Sequence, residues 1–216
     1  MNLDWIQEEE NSVIYVGDTM CSWCYGFAPE MDQFIKLHPE LKVRLVQGGL
    51  RPFGTEKITE MADFLIKHWI EINERTGQSF SYDILEDQDF LLDTEPASRA
   101  VVVVRMMDKT KEWEFFKKVQ TAFYKENKDT TKLATYLEIA TELGLDTAKF
   151  SELFETDEAK HATKSDFQLS SEMGVKGFPS VVVKLGKEFF MISNGFREVK
   201  ELEEVYQNVL KEVASR

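Results

Sequence analysis

Cys21-Ser22-Trp23-Cys24 is the one stretch of the chain where two redox-capable side chains stand at a spacing that lets them act together. They are its only cysteines, so there is no disulfide framework of the kind that supports small secreted domains. Thiol exchange and zinc binding are the chemistries open to such a pair. A closed zinc site takes four ligands, and His38, His68 and His161 show no paired spacing that would complete one. Thiol exchange therefore leads. A helix beginning at Cys21 would turn its unpaired N–H groups and the positive end of its dipole toward that sulfur, stabilising thiolate over thiol. One helical turn then brings the second sulfur within bonding reach. On this reading Cys21 is the exposed nucleophile that attacks a disulfide, and Cys24 is the inner thiol that resolves the mixed disulfide. Two inert buried thiols are the alternative.

The surrounding elements have to deliver Cys21 to a helix start. Ser12 to Gly17 is a β-branched and aromatic run closed by Gly17-Asp18, which predicts a buried strand directly before the pair. From Cys21, Phe27, Met31, Phe34, Ile35 and Leu37 recur at helical spacing until His38-Pro39. Lys42 to Gln47 alternates as a second strand, which makes a βαβ unit with parallel strands. A stripe from Ile58 through Met61, Phe64, Leu65, His68 and Trp69 to Ile72 predicts a helix ending near Gly77. Further helical stripes run through Phe116 to Phe123, through Leu133 to Leu143, and from Phe150 with Asp146 as cap. The four valines of Ala100 to Val104 favour a strand, but Pro96 is preset for a first helical turn and the pattern continues to Met106-Met107, so a buried helix is expected. Val181 to Val183 and Phe189 to Ile192 flank Gly186-Lys187 as a hairpin, and Val199 to Val213 is a last amphipathic helix. The order is βαβ, several helices, then ββα, with the helical part inserted between two halves of one sheet.

Composition narrows the partners. Of 216 residues, 39 are acidic and 26 basic, a net charge of −13, with no run of Lys or Arg. Such a surface repels phosphate backbones and anionic lipid, which argues against nucleic acid and membrane as partners. A hydrophobic content of 43% with 16 Phe and 4 Trp excludes a wholly disordered chain. No apolar run reaches the ~18 residues needed to cross a bilayer. Met1 to Trp5, followed by Glu8 to Glu10, lacks the basic start and apolar stretch of an export signal. A cytoplasmic location is expected.

Asp18-Thr19-Met20-Cys21-Ser22-Trp23-Cys24-Tyr25-Gly26-Phe27 together with Gly174-Val175-Lys176-Gly177-Phe178-Pro179-Ser180 resembles the thioredoxin-fold DsbA family, and within it the cytosolic FrnE-like branch. Gly48-Gly49-Leu50-Arg51-Pro52 and Glu95-Pro96-Ala97-Ser98-Arg99-Ala100 extend the match. The resemblance implies an α/β thioredoxin fold, with its two halves at residues 11–52 and 174–216 and a helical domain inserted over residues 53–173. It implies a thiol:disulfide oxidoreductase or isomerase acting on protein or peptide thiols, with no cofactor beyond the Cys21–Cys24 pair and with glutathione or another thiol as candidate co-substrate. It also implies that the Phe178-Pro179 bond is cis and that its loop lies beside the cysteines. Phe178 would then offer its backbone to an extended substrate, and Pro179 would occupy space open to a metal ligand; the lesser alternative is that Pro179 simply starts an edge strand.

Trp23 is expected to face solvent as a flat apolar surface for substrate, the alternative being that it packs on the inserted helices. Members of the family often carry a buried acid six residues before the nucleophile, where this chain has Tyr15, so a carboxylate relay from that site is absent. Asp18 could replace it or could be a plain loop acid. Arg51, just past the second strand, is placed where it could offset the Asp18 charge. Two rival readings stand: the related glutathione-dependent isomerase or transferase branch, which usually has serine at the first cysteine, and a non-catalytic binding or adaptor protein.

Overall fold

In the computed structural model, which describes residues 10–216, the strand expected before the cysteines is β1 (Ser12–Gly17), buried along its whole length. The reading of Met1 to Trp5 as lacking an export signal lies outside the described residues. Helix α1 (Ser22–Leu37) follows, and β2 (Lys42–Gln47) returns parallel to β1, pairing Val13 with Val43, Tyr15 with Leu45 and Gly17 with Gln47. The hairpin is β3 (Ser180–Leu185) and β4 (Glu188–Asn194), with Gly186 at φ +60° in the turn, a value that glycine takes without a Cβ penalty. β3 runs antiparallel to β1, giving the order β2-β1-β3-β4, and α8 (Val199–Ala214) ends the chain.

Between β2 and β3 lie α2 (Ala62–Thr76), α3 (Glu95–Asp108), α4 (Glu112–Tyr124), α5 (Leu133–Glu142), α6 (Thr147–Glu155) and α7 (Asp157–Glu172). The valine run is helical, as Pro96 in the first turn of α3 indicates. Val101 to Val104 are all at most 1% exposed, so a helix buried on every side accounts for a composition that would otherwise read as strand. Asp146 caps α6 through the N–H groups of Ala148 and Lys149. Thr156 ends that helix in extended backbone and caps α7 with its own hydroxyl, a break the apolar spacing did not reveal.

Strand alternation divides the core. Val13, Tyr15, Leu45, Val181 and Val183 face α1, α3, α4 and α8, while Ile14, Val16, Val46 and Val182 meet Leu169 of α7 on the other side of the sheet. A third cluster, including Met20, Tyr25, Ile58, Trp69, Leu92 and Tyr124, fills the space between α2, α4 and the loop that carries the cysteines.

One buried ionic junction ties the helices to the sheet. Arg105 of α3 donates from Nη1 and Nη2 to Asp166 of α7 at 2.9 and 2.7 Å, from Nη2 to the Leu45 carbonyl at 2.8 Å, and from Nε to Glu112 of α4 at 2.7 Å. Asp166 also accepts the Gln47 N–H at 3.0 Å. The forked guanidinium matches this convergence of carboxylates. Burial pushes the Glu112 carboxyl up to about 7 in spite of the attraction of Arg105. The folded state therefore holds more protons than the unfolded chain between the ordinary glutamate range and about pH 7, so ionising Glu112 lowers stability as pH rises through that window, by up to about 3 kcal/mol. Urea titrations at stepped pH are expected to show this decline in the wild type and its loss in Glu112→Gln.

Candidate active site

The loop Asp18–Met20 turns the chain from β1 into α1, and its carboxylate is what fixes the turn. Asp18 is fully buried and accepts the N–H of Met20 at 2.9 Å and of Leu50 at 2.8 Å, with the Thr94 hydroxyl as a further donor. Its backbone carbonyl takes the Cys21 N–H at 3.2 Å. Burial raises its proton affinity, and the donated hydrogen bonds pull the other way. Of the two roles open to Asp18, the loop acid is the one whose bonds are visible: it fastens the cysteine loop to the Gly48-Gly49-Leu50 loop and to the start of α3.

Cys21 is the N-cap of α1, in extended backbone at φ −92° and ψ 112°, and its sulfur accepts the Cys24 N–H at 3.4 Å. That bond sets the sulfur over the first turn of α1, at the N-terminal end of the helix. The Cys21 thiol points at the Phe178 carbonyl, 3.7 Å away. Both cysteines are free thiols. Cys21 is 7% exposed and Cys24 is 0% exposed, so the expected order of access holds, although the exposed nucleophile of the sequence reading is in fact a sulfur opening only into a cleft. Burial, and the Cys21 sulfur beside it, push the Cys24 thiol up.

The Phe178-Pro179 bond is cis, as the resemblance implies. The Phe178 ring lies over Gly48, where any side chain would collide with it, so the Gly48-Gly49 loop and the proline loop close on each other beside Cys21.

The cleft holds about 260 Å³. Cys21, Trp23, Arg51 and Phe178 all line it, so four of the expected site residues come together. Two of them behave differently from expectation. Trp23 does not stand free in solvent: it is half-buried, edge-on to His68 of α2 at 5.9 Å and tilted on Phe196 at 5.7 Å, with Arg75 over its ring. The inserted helix supplies aromatic partners that are worth more to an indole than water is. Arg51 does not offset Asp18; its guanidinium pairs with Glu56, while backbone N–H groups meet the Asp18 charge.

The stripe from Ile58 to Ile72 marks a helix in the sequence and no part of the site, yet Met61, Leu65 and Trp69 wall the cleft and Phe64, 57% exposed, stands at its mouth stacked on His68. The stripe was the available signal; nothing local marked which of its residues face the cysteines. Among the described residues no group of three His, Cys, Asp or Glu side chains could hold a metal, and no helix is long and apolar enough to cross a membrane.

The family described as the DSBA-like thioredoxin domain matches residues 12–207. Among solved structures, a "putative protein disulfide isomerase" from Nitrosomonas europaea superposes with a TM-score of 0.87 at 33% identity, covering 94% of this chain and 99% of that one. The cytosolic disulfide reductase DsbM from Pseudomonas aeruginosa gives 0.78 at 23% identity, over 93% and 98%. A 2-hydroxychromene-2-carboxylate isomerase gives 0.67 at 14% identity, over 94% and 98%; like DsbM, it is evidence of fold alone. No curated protein sequence matches the chain.

Asp18→Ala leaves the buried Met20 N–H and the part-buried Leu50 N–H without an acceptor, at up to about 1–3 kcal/mol each. The expected outcome is a fall of at least about 2 kcal/mol in unfolding free energy by urea titration. A stability unchanged from wild type, with thiol chemistry alone impaired, would instead make Asp18 a proton relay.

Proposed function

This chain belongs to the DSBA-like thioredoxin-domain family, and from that premise we propose that it is a cytoplasmic thiol:disulfide oxidoreductase acting on protein or peptide disulfides, isomerisation included. The observation that carries the reading is the Cys21 sulfur at the cap of α1, holding the Cys24 N–H at 3.4 Å while it opens into an apolar cleft.

The Cys21 thiolate attacks one sulfur of a substrate disulfide, forming a Cys21–substrate bond as the substrate S–S bond breaks and its second sulfur departs as thiolate. Cys24 then attacks Cys21 Sγ, closing the Cys21–Cys24 disulfide and releasing the remaining substrate thiol. The substrate is reduced by two electrons and the pair is oxidised; a thiol donor such as glutathione returns the pair to the dithiol. Run in reverse, the same steps insert a disulfide. If the mixed disulfide instead exchanges with another substrate thiol, the result is isomerisation. The pair needs no other cofactor for this.

The apolar walls of the cleft, Met61, Leu65 and Trp69 among them, suit a segment exposing apolar side chains, and the Phe178 backbone lies where an extended chain could pair with it. Support for glutathione comes from DsbM, a protein of the same fold that has been solved with GSH. The intact first cysteine favours exchange over the isomerase or transferase chemistry of the related branch.

Reduction of insulin by dithiothreitol tests the proposal. The wild type should accelerate it, Cys21→Ser should fall to the uncatalysed rate, and Cys24→Ser should accumulate protein joined to substrate through Cys21. Acceleration retained by Cys21→Ser would overturn the assignment, and a binding partner retained by that variant would support the adaptor reading.

A further inference from the structure

The resolving step leaves Cys24 with a difficulty. It must become a thiolate to attack Cys21, yet it is fully buried and burial opposes the charge. Asp18, the one buried carboxylate near it, already receives the Met20 and Leu50 N–H groups and the Thr94 hydroxyl.

Tyr15 stands where it can help. Its side chain leaves β1 on the α1 face of the sheet and leans along the strand over Gly17. A methyl group placed on Gly17 would lie 3.1 Å from Tyr15 Cζ and 3.2 Å from Cys24 Sγ, so the phenol ring and the resolving sulfur converge on the space left by a missing side chain. The ring is clamped in place by Trp113 at 5.0 Å and Phe116 at 5.7 Å, both edge-on, and by Phe27 at 6.1 Å. Its hydroxyl is buried and has no hydrogen-bond partner of ordinary geometry. Such an orphan is costly, and a partner that exists in only one protonation state accounts for it.

We propose that Tyr15 is the positioning residue for the resolving thiol, its phenol O–H donating to the Cys24 sulfur once that sulfur is ionised. The proposal rests on the exchange reading given above. Burial, and then the neighbouring Cys24, raise the proton affinity of Tyr15, so the phenol keeps its proton and acts as a donor, never as a base. The other titratable groups whose charge bears on Cys24 are Cys21 of α1, Tyr124 of α4 and, through Tyr15, Asp18 of the loop. In the step itself the Cys24–Cys21 bond forms as the Cys21–substrate bond breaks. The electron pair leaves on the substrate sulfur, and the proton given up by Cys24 ends on that departing thiolate.

The test follows the mixed disulfide directly. Reduced protein is mixed with oxidised glutathione, quenched in acid at intervals, and its Cys21–glutathione species followed by intact mass across a pH series. Tyr15→Phe should form the species at the wild-type rate and resolve it about tenfold more slowly, the loss typical of a hydrogen bond to a charged acceptor. The midpoint of its pH–rate profile should move up by about one unit. A folded Tyr15→Phe with wild-type lifetime and midpoint would overturn the proposal. If that variant fails to fold, 3-fluorotyrosine at position 15 keeps the ring and strengthens the donor, and the midpoint must then move down; an unmoved midpoint overturns the proposal equally. No mixed disulfide in the wild type at all would overturn the exchange reading itself.

Discussion

The Cys21 sulfur accepts the Cys24 N–H at 3.4 Å in the position where an Asp or Ser oxygen would ordinarily close the first turn of a helix. The rest of the site is arranged around keeping that sulfur there. β1 is buried on both faces so that its carboxyl end is fixed, Asp18 ties the following loop to two neighbours, and Cys21 donates its own N–H back to the Asp18 carbonyl. The same sulfur that closes the first turn of α1 thus faces the cleft and the Phe178 carbonyl.

Burial does the rest by treating the two sulfurs unequally. The sheet and α1 close over Cys24 completely, while α2, the Leu50-Arg51 loop and the proline loop leave Cys21 a cleft. On the proposed mechanism, access selects the attacking thiol, and the cost of charge inside the core holds the other in reserve until a disulfide forms next to it. The helices between β2 and β3 matter to the proposed function because they furnish walls: without α2 the Trp23 ring would lose His68, and the cleft would lose Phe64, Leu65 and Trp69 from its apolar lining.

Much of this was legible in the residues. Period and punctuation gave the strand and helix order, because alternation, Gly77, Gly144 and Asp146 act locally. The spacing and position of Cys21 and Cys24 announced the chemistry for the same reason. What stayed hidden depends on contacts far apart in sequence. Arg105, directly after the Ala100–Val104 run, is the hub of a junction reaching Asp166, 61 residues away. Trp23 is turned inward by His68 and Phe196, and Arg51 is taken by Glu56, pairings that no local rule specifies. Thr156 was the overlooked local signal: a cap residue followed by Asp157 and Glu158, splitting what the apolar spacing joined.

The unequal burial of the two thiols is the claim on which the account stands, and a short pulse of iodoacetamide on the reduced native protein at neutral pH, read by peptide mass, tests it most directly. Cys21 should be alkylated at least about tenfold faster than Cys24, since reactivity follows thiolate character and access together. Equal labelling of the two, or Cys24 labelled first, would contradict it.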